Sequence, residues 1–72
     1  MAYFNYHAKA INLIKTNHCK FAIIKKKHNA ISPALVLYFD NSNPMPIRLY
    51  KWDNYFLLLN ELNIQIIDET KL

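Results

Sequence analysis

The sequence predicts an α+β domain in which a three-stranded antiparallel sheet is accompanied by an N-terminal and a C-terminal helix, in the order α-β-β-β-α(-β). A fourth strand is added if the C-terminal segment pairs. Two segments repeat apolar residues at helical spacing, and three short segments between them have the length and pattern of strands. The chain has 72 residues, and a chain this short buries only about 60% of its unfolded surface. We therefore expect residues 1–72 to form a single domain.

The first predicted helix extends from Tyr3 to Thr16. Its apolar side chains fall on one side at helical spacing, with His7 at their centre. A histidine on such a face is more often a core residue with satisfied hydrogen bonds than a ligand or a base. Asn17 is the predicted stop, because the chain has no glycine and Asn is the best substitute in the left-handed conformation at a helix end.

The first predicted strand covers residues 20–27. We expect its side chains Phe21 and Ile23 to face the helices, while its far end, Lys25 to Lys27, is solvated and positive. Residues 28–30 then form a turn. Three consecutive lysines are more often a solvated strand end than a phosphate site, because lysine lacks the fork geometry of arginine.

The second and third predicted strands form the centre of the sheet. Pro33 holds Ser32 in an extended conformation and so starts the second strand, which lies within the stretch 31–40 and runs into a turn. Residues 40–46 form a loop, which is too long and proline-rich for a two-residue hairpin, and the third strand covers residues 47–52. The side chains expected to face the helices are Leu35, Leu37, Phe39, Ile47 and Leu49.

The second predicted helix begins at Asp53, a favourable N-cap residue. Its apolar side carries Tyr55 and three leucines. Residues 63–68 could continue this helix, but their alternating β-branched residues favour a short edge strand.

Composition limits the class of protein. The chain is 53% hydrophobic and 19% charged, which is too apolar for a disordered tail, and its apolar runs are too short for a membrane span. Residues 1–5 lack the pattern of a secretory signal. The single cysteine, Cys19, cannot form an internal disulfide, which is typical of a reducing compartment. We therefore expect a cytoplasmic protein that does not bind membranes.

Charge is distributed unevenly. Residues 1–39 contain six lysines and no carboxylate, whereas residues 40–72 contain three basic and five acidic side chains. The basic half could attract nucleic acid or an acidic partner, or could be a solvated surface.

A basic and aromatic face is the candidate binding site. The predicted register places six side chains on the sheet face away from the first helix, and these are Lys26, His28, Tyr38, Arg48, Tyr50 and Trp52. Trp, Tyr and Arg are the commonest anchors of protein interfaces, and the same set suits single-stranded RNA or DNA, whose bases stack on aromatic rings. A third interpretation is that the second helix or the C-terminal strand covers this face and makes it core.

Catalytic and metal-binding patterns are weak. No pair of carboxylates falls on the aromatic face, and no glycine is present to bring backbone N–H groups close to an anion. His18, Cys19 and His28 lack the second closely spaced ligand pair of a zinc site. A chain this short also has little room for a ligand pocket. We predict no enzyme activity, no cofactor, no metal and no small-molecule substrate.

Three segments, Tyr3–Ala10, Asn29–Phe39 and Met45–Arg48, with Trp52 and Tyr55 following, resemble a family of short uncharacterised proteins of clostridia and related bacteria. Some members carry the name thermostable haemolysin, delta-VPH type. The resemblance covers most of the chain and implies no catalytic residues. The residues themselves do not favour a haemolysin, because lysis requires export and an element that enters a bilayer.

The sequence thus leads to one expectation of function. We expect a cytoplasmic, non-enzymatic protein-interaction module that self-associates as a homodimer through its aromatic sheet face. The alternative is single-stranded nucleic acid binding on the same face.

Overall fold

The fold is described by a computed structural model covering residues 6–71. It confirms the α+β class. The helices are α1 (Tyr6–Lys15) and α2 (Trp52–Glu61), and the strands are β1 (Cys19–Lys25), β2 (Ala34–Phe39), β3 (Met45–Arg48) and β4 (Gln65–Asp68). The part of the predicted first helix formed by residues 3–5 lies outside the described residues. No helix within residues 6–71 is long and apolar enough to cross a membrane.

The four strands form one sheet in the order β3-β2-β1-β4. The β1–β2 and β2–β3 pairs are antiparallel, with Ile23 opposite Val36 and Leu35 opposite Ile47. Residues 63–68 do not continue the second helix, since β4 joins β1 in parallel, with Ile67 opposite Ile23. The sheet is therefore mixed, whereas the sequence predicted an antiparallel one.

Both helices pack on the same face of the sheet. Ala10 and Ile14 of α1 and Tyr55 and Leu59 of α2 are buried in one core cluster with the inward side chains of the strands. Those strand residues include Cys19, Ala22, Leu35, Leu37, Phe39, Met45 and Ile47. The interpretation in which the second helix or the C-terminal strand crosses the other face is therefore wrong, because α2 lies beside α1 and β4 extends the edge of the sheet.

Both helices end in the same hydrogen-bonded motif. After α1 the backbone N–H of His18 donates to the carbonyl of Leu13, and that of Asn17 donates to Ile14. After α2 the corresponding bonds run from Ile64 to Leu59 and from Asn63 to Asn60. This pattern is the Schellman motif, whose left-handed residue is usually glycine. Asn17 (φ 68°) and Asn63 (φ 58°) take that position in a chain without glycine.

The strand β1 faces the opposite way from the prediction. Ala22 is fully buried against the helices, whereas Phe21 and Ile23 are half-buried on the other face. The register shifts between Cys19 and Phe21, so Cys19 and Ala22 share the core face although three positions separate them. The small side chain of Ala22 lies beneath the helices, and the bulkier residues point outward.

The strand β3 also differs from the prediction, because it covers Met45–Arg48 instead of residues 47–52. A single 3₁₀ turn, Leu49–Lys51, follows, and Leu49 is exposed where the sequence predicted a core residue. The helix α2 then begins at Trp52. Asp53 lies in the first turn and is not the N-cap, although a carboxylate there still interacts favourably with the helix dipole.

Candidate functional site

One face of the sheet carries no helix in the part of the chain that the structure describes. We call it the open face. It consists of outward-pointing side chains from all four strands, namely Phe21, Ile23, Lys25, Ala34, Val36, Tyr38, Pro46, Arg48, Gln65 and Ile67. Ala34 and Val36 are fully buried by their neighbours, whereas Phe21, Ile23, Tyr38 and Ile67 remain half-buried.

A stacked aromatic pair lies on the two central strands of the open face. Phe21 and Tyr38 are directly opposite in the β1–β2 register, and their ring centroids are 5.0 Å apart with an angle of 25° between the planes. Such a pair contributes about 0.5–1.5 kcal/mol beyond the burial of its area. Because the rings face each other, at most one face of each ring is open.

Lys25 reaches along the open face toward Tyr38. Its ammonium nitrogen is 5.9 Å from the centroid of the Tyr38 ring, although the two residues belong to register pairs separated by the Ile23–Val36 pair. The two side chains therefore approach each other above Ile23 and Val36. A hydrogen bond to Tyr38 raises the pKa of Lys25, and the nearby carboxylate of Glu69 acts in the same direction.

The structure separates the six side chains predicted to share a face. Tyr38 and Arg48 lie on the open face, while Lys26 lies beyond the end of β1 and is exposed. His28 forms a backbone bridge with Ile31 in the β1–β2 connection. Tyr50 is in the 3₁₀ turn and is 73% exposed.

Trp52 is on the helix side of the molecule. Its indole N–H donates to the carbonyl of Ile47 at 2.8 Å, and its ring packs against the core and against Phe56. The prediction that Trp52 belongs to an exposed sheet face is therefore wrong, because the strand ends four residues earlier. The members of the open face that the sequence analysis missed include Phe21, Ile23, Lys25 and Ile67.

The sequence contains little that could have identified those residues. In an extended strand, Phe21 and Ile23 share one face with Lys25, whereas Ala22 and Ile24 share the other face with Lys20 and Lys26. Because each face ends in a lysine, the charges do not show which face is buried in the core. Hydrophobicity favours the bulkier set, and the structure buries the smaller one.

A second surface feature is a groove of about 980 Å³ that runs beside the edge strand β3 and is open to solvent. We call it the β3 groove. Side chains from α1, from the β2–β3 loop and from the β3–α2 connection line it, including Tyr6, His7, Asp40, Met45, Arg48 and Tyr50. The groove is larger than the length of the chain led us to expect.

Two hydrogen bonds fix the wall of the β3 groove that α1 provides. The hydroxyl of Tyr6 donates to the carbonyl of Pro46 at 3.0 Å, so it attaches α1 to the outer edge of β3. Nδ1 of His7 lies 2.8 Å from the hydroxyl of Tyr55, which is 1% exposed. Burial raises the pKa of Tyr55 to about 12, so this hydroxyl keeps its proton at neutral pH. The structure places His7 at the boundary of the core with its buried nitrogen paired.

The described histidines and the cysteine do not form a cluster that could bind a metal ion. His18 lies 4.0 Å from a carboxylate oxygen of Asp40 at the surface. Cys19 is buried, and burial raises the pKa of its thiol to about 11. Within residues 6–71 no group of three or more His, Cys, Asp or Glu side chains could hold a metal ion.

Comparison with known proteins adds no relative. No protein-family model, curated protein or solved structure matches this chain. The function proposed below is therefore based on the geometry of the open face and the β3 groove.

Proposed function

We propose that this protein is a non-enzymatic protein-interaction module that self-associates through its open face. One observation supports the proposal above all others. Phe21, Ile23, Tyr38 and Ile67 stand partly exposed on a sheet face over which neither α1 nor α2 packs. Sheets with one apolar face need a second layer, and a second copy of the same sheet provides one.

The size of the open face predicts a weak dimer. Four strands of four to seven residues, spaced by about 4.8 Å, cover about 330 Å². A typical stable interface buries about 800 Å² on each partner. The open face alone therefore supplies less than half of that area, and we expect dissociation constants in the micromolar range or above.

The charges of the open face are compatible with self-association. Lys25 forms no ion pair with Glu69, although the carboxylate of Glu69 helps to raise the pKa of Lys25. Arg48 lies on β3, at the rim of the face, where it can remain hydrated when two faces meet. Arg48 is therefore not forced into the centre of the contact.

Sedimentation velocity from micromolar to near-millimolar concentration tests the proposal. The native chain should shift from monomer to dimer, and Ile67→Lys, at a half-buried position of the open face, should stay monomeric. Leu57→Lys makes the same kind of change at an exposed position of α2 and should dimerise like the native chain. A native chain that stays monomeric throughout, or an equal loss in both variants, would refute self-association through the open face.

Single-stranded nucleic acid binding is the second candidate. It is supported by the aromatic pair on the central strands together with Lys25 and Arg48 on the same face. The stacking of Phe21 on Tyr38 weakens this support, because at most one face of each ring is open to a base. Titration with labelled oligonucleotides at several salt concentrations tests it, and replacing Arg48 with Gln should lower the salt dependence by about one phosphate contact. Absence of binding at low salt would exclude it.

A further inference from the structure

We propose that the β3 groove binds a small organic anion, in which a carboxylate or phosphate group is attached to an apolar body. This inference goes beyond self-association and does not rest on it. The groove has a different position from the centre of the open face, and its proposed ligand is a small molecule instead of a protein.

The size and lining of the groove suit such a ligand. Its volume of about 980 Å³ lies in the range of small-molecule sites, which is about 300–1,000 Å³. Apolar side chains, Ile31, Met45 and Pro46 among them, line it together with Tyr6, Tyr50 and a similar number of polar and charged residues, including Lys9. Sites for small organic ligands combine apolar walls with polar groups that fix the orientation of the ligand.

Arg48 supplies the cation for the anionic group. It is exposed, and no carboxylate within residues 6–71 forms an ion pair with it. A guanidinium group can bind a carboxylate or a phosphate through two parallel hydrogen bonds. Asp40, the only carboxylate among the described residues that line the groove, is beyond the far end of β3 and lies 4.0 Å from His18. The end of the groove near Arg48 is therefore positive.

His7 supplies a fixed hydrogen-bond donor on the opposite wall. Among the described residues its Nδ1 is the only hydrogen-bond partner of the buried Tyr55 hydroxyl, so that hydroxyl donates and Nδ1 accepts. With Nδ1 accepting, Nε2 is the ring nitrogen that can donate. His7 lines the groove, so Nε2 is the nitrogen left for a ligand there.

A polypeptide strand is a poor alternative occupant of the groove. Pro46 has no N–H to offer along the edge of β3, and its carbonyl already accepts the hydroxyl of Tyr6. Proline on an edge strand is a known device against strand addition. The geometry therefore favours a small ligand over an added strand.

NMR titration of the full chain tests the proposal, with benzoate, phenyl phosphate and neutral benzamide as probes at constant ionic strength. Benzoate, phenyl phosphate or both should cause saturable shifts of the amides of Met45, of residues 47–50 and of His7, and benzamide should not. If benzoate binds more tightly, the groove prefers a carboxylate, and if phenyl phosphate binds more tightly, it prefers a phosphate. Arg48→Gln should weaken binding at least about tenfold, because it removes a bidentate charged contact.

Lys20→Gln is the matched control, since it removes the same charge at an exposed position of β1 outside the lining of the groove. It should bind the probes like the native chain. Three results would overturn the proposal: no saturation with either anion, equal weakening in both variants, or shifts confined to Lys25–Lys27. The sedimentation test is unaffected by any of them, so the two proposals fail separately.

Discussion

The hydroxyl oxygen of Tyr55 lies 2.8 Å from Nδ1 of His7, and this hydrogen bond joins α2 to α1 above the core. Tyr55 is the largest fully buried side chain in the described structure. Its ring fills the space between the helices and the sheet, while its polar atom is satisfied at the boundary of the core.

Replacing Tyr55 with Phe removes this hydrogen bond and keeps the ring. We expect the free energy of unfolding to fall by about 1 kcal/mol, because a typical intramolecular hydrogen bond contributes about 0.5–1.5 kcal/mol. Urea unfolding followed by circular dichroism measures the change. Tyr50→Phe is the control, since Tyr50 is 73% exposed and should unfold like the native chain. If Tyr50→Phe lowered the free energy of unfolding as much as Tyr55→Phe, the loss could not be attributed to the hydrogen bond between Tyr55 and His7.

Stability should decrease at alkaline pH. Burial raises the pKa of Cys19 from 9.0 to about 11 and that of Tyr55 from 10.0 to about 12. Below pH 9 both groups are protonated in both states, so their contribution is fully present. As the pH rises toward 12, the unfolded chain releases these protons first, and the free energy of unfolding falls by roughly 2–3 kcal/mol for each group.

Urea unfolding at a series of pH values from neutral to alkaline measures this decrease. Tyr55→Phe should remove the part of the decrease in the free energy of unfolding that falls between pH 10 and about 12. Cys19→Ala should remove the part that falls between pH 9 and about 11. A native chain with constant stability over that range would show that neither group stays buried and protonated in the folded state.

The Cys19 thiol should be unreactive in the native protein. It is 7% exposed, and only the thiolate attacks disulfide reagents. We expect a thiol reagent to modify Cys19 slowly in the native state at neutral pH and rapidly in concentrated urea. A native rate close to that of a small free thiol would place Cys19 at the surface and contradict its position in the core.

The two Schellman motifs predict a distinction between glycine and alanine. A left-handed conformation costs a residue with a Cβ atom about 1–2 kcal/mol, and Asn tolerates it best after glycine. Asn17→Ala and Asn63→Ala should each lower the free energy of unfolding by about 1 kcal/mol, whereas Asn17→Gly and Asn63→Gly should not. Equal effects of alanine and glycine, measured by urea unfolding, would contradict the left-handed geometry at these positions.

Leucine truncation should separate the core from the surface. Leu37 is fully buried on β2, and Leu→Ala changes at such positions cost about 2–5 kcal/mol. A domain of this length has little stability to lose, so Leu37→Ala should be largely unfolded at room temperature. Leu57→Ala, at a position 66% exposed, should change stability by less than about 0.5 kcal/mol. Near-native stability of Leu37→Ala in a urea titration would be incompatible with this core.

The elements with clear apolar periodicity, or with a residue that marks where they begin or end, could be predicted from the sequence. The apolar run Ala34–Phe39 is β2, with the predicted side chains Leu35, Leu37 and Phe39 in the core. Asn17 ends α1 as expected for a chain without glycine. The preference of residues 63–68 for a strand over a helix is also confirmed, although its parallel pairing with β1 is a long-range property that local pattern does not reveal.

The candidate site could be predicted only in part, for two physical reasons. The register shift between Cys19 and Phe21 decides which face of β1 is buried, and no residue marks it in the sequence. The chain also turns from β3 into a 3₁₀ turn after Arg48, which removes Tyr50 and Trp52 from the sheet. The β3 groove depends on contacts between distant segments, such as Tyr6 with Pro46, that periodicity does not indicate.

The parallel pairing of β4 with β1 also has a consequence for how the chain acquires its structure. Until residues 65–68 dock, β1 is an edge strand, and its segment Phe21–Ile24 is apolar, uncharged and rich in residues that favour strands. Such segments pair readily with other chains during folding. Lys20 and Lys25 border this segment on both sides, in the place where charged residues suppress aggregation of a hydrophobic strand. The same lysines that obscure the orientation of β1 in the sequence thus protect the chain while its last strand is still missing.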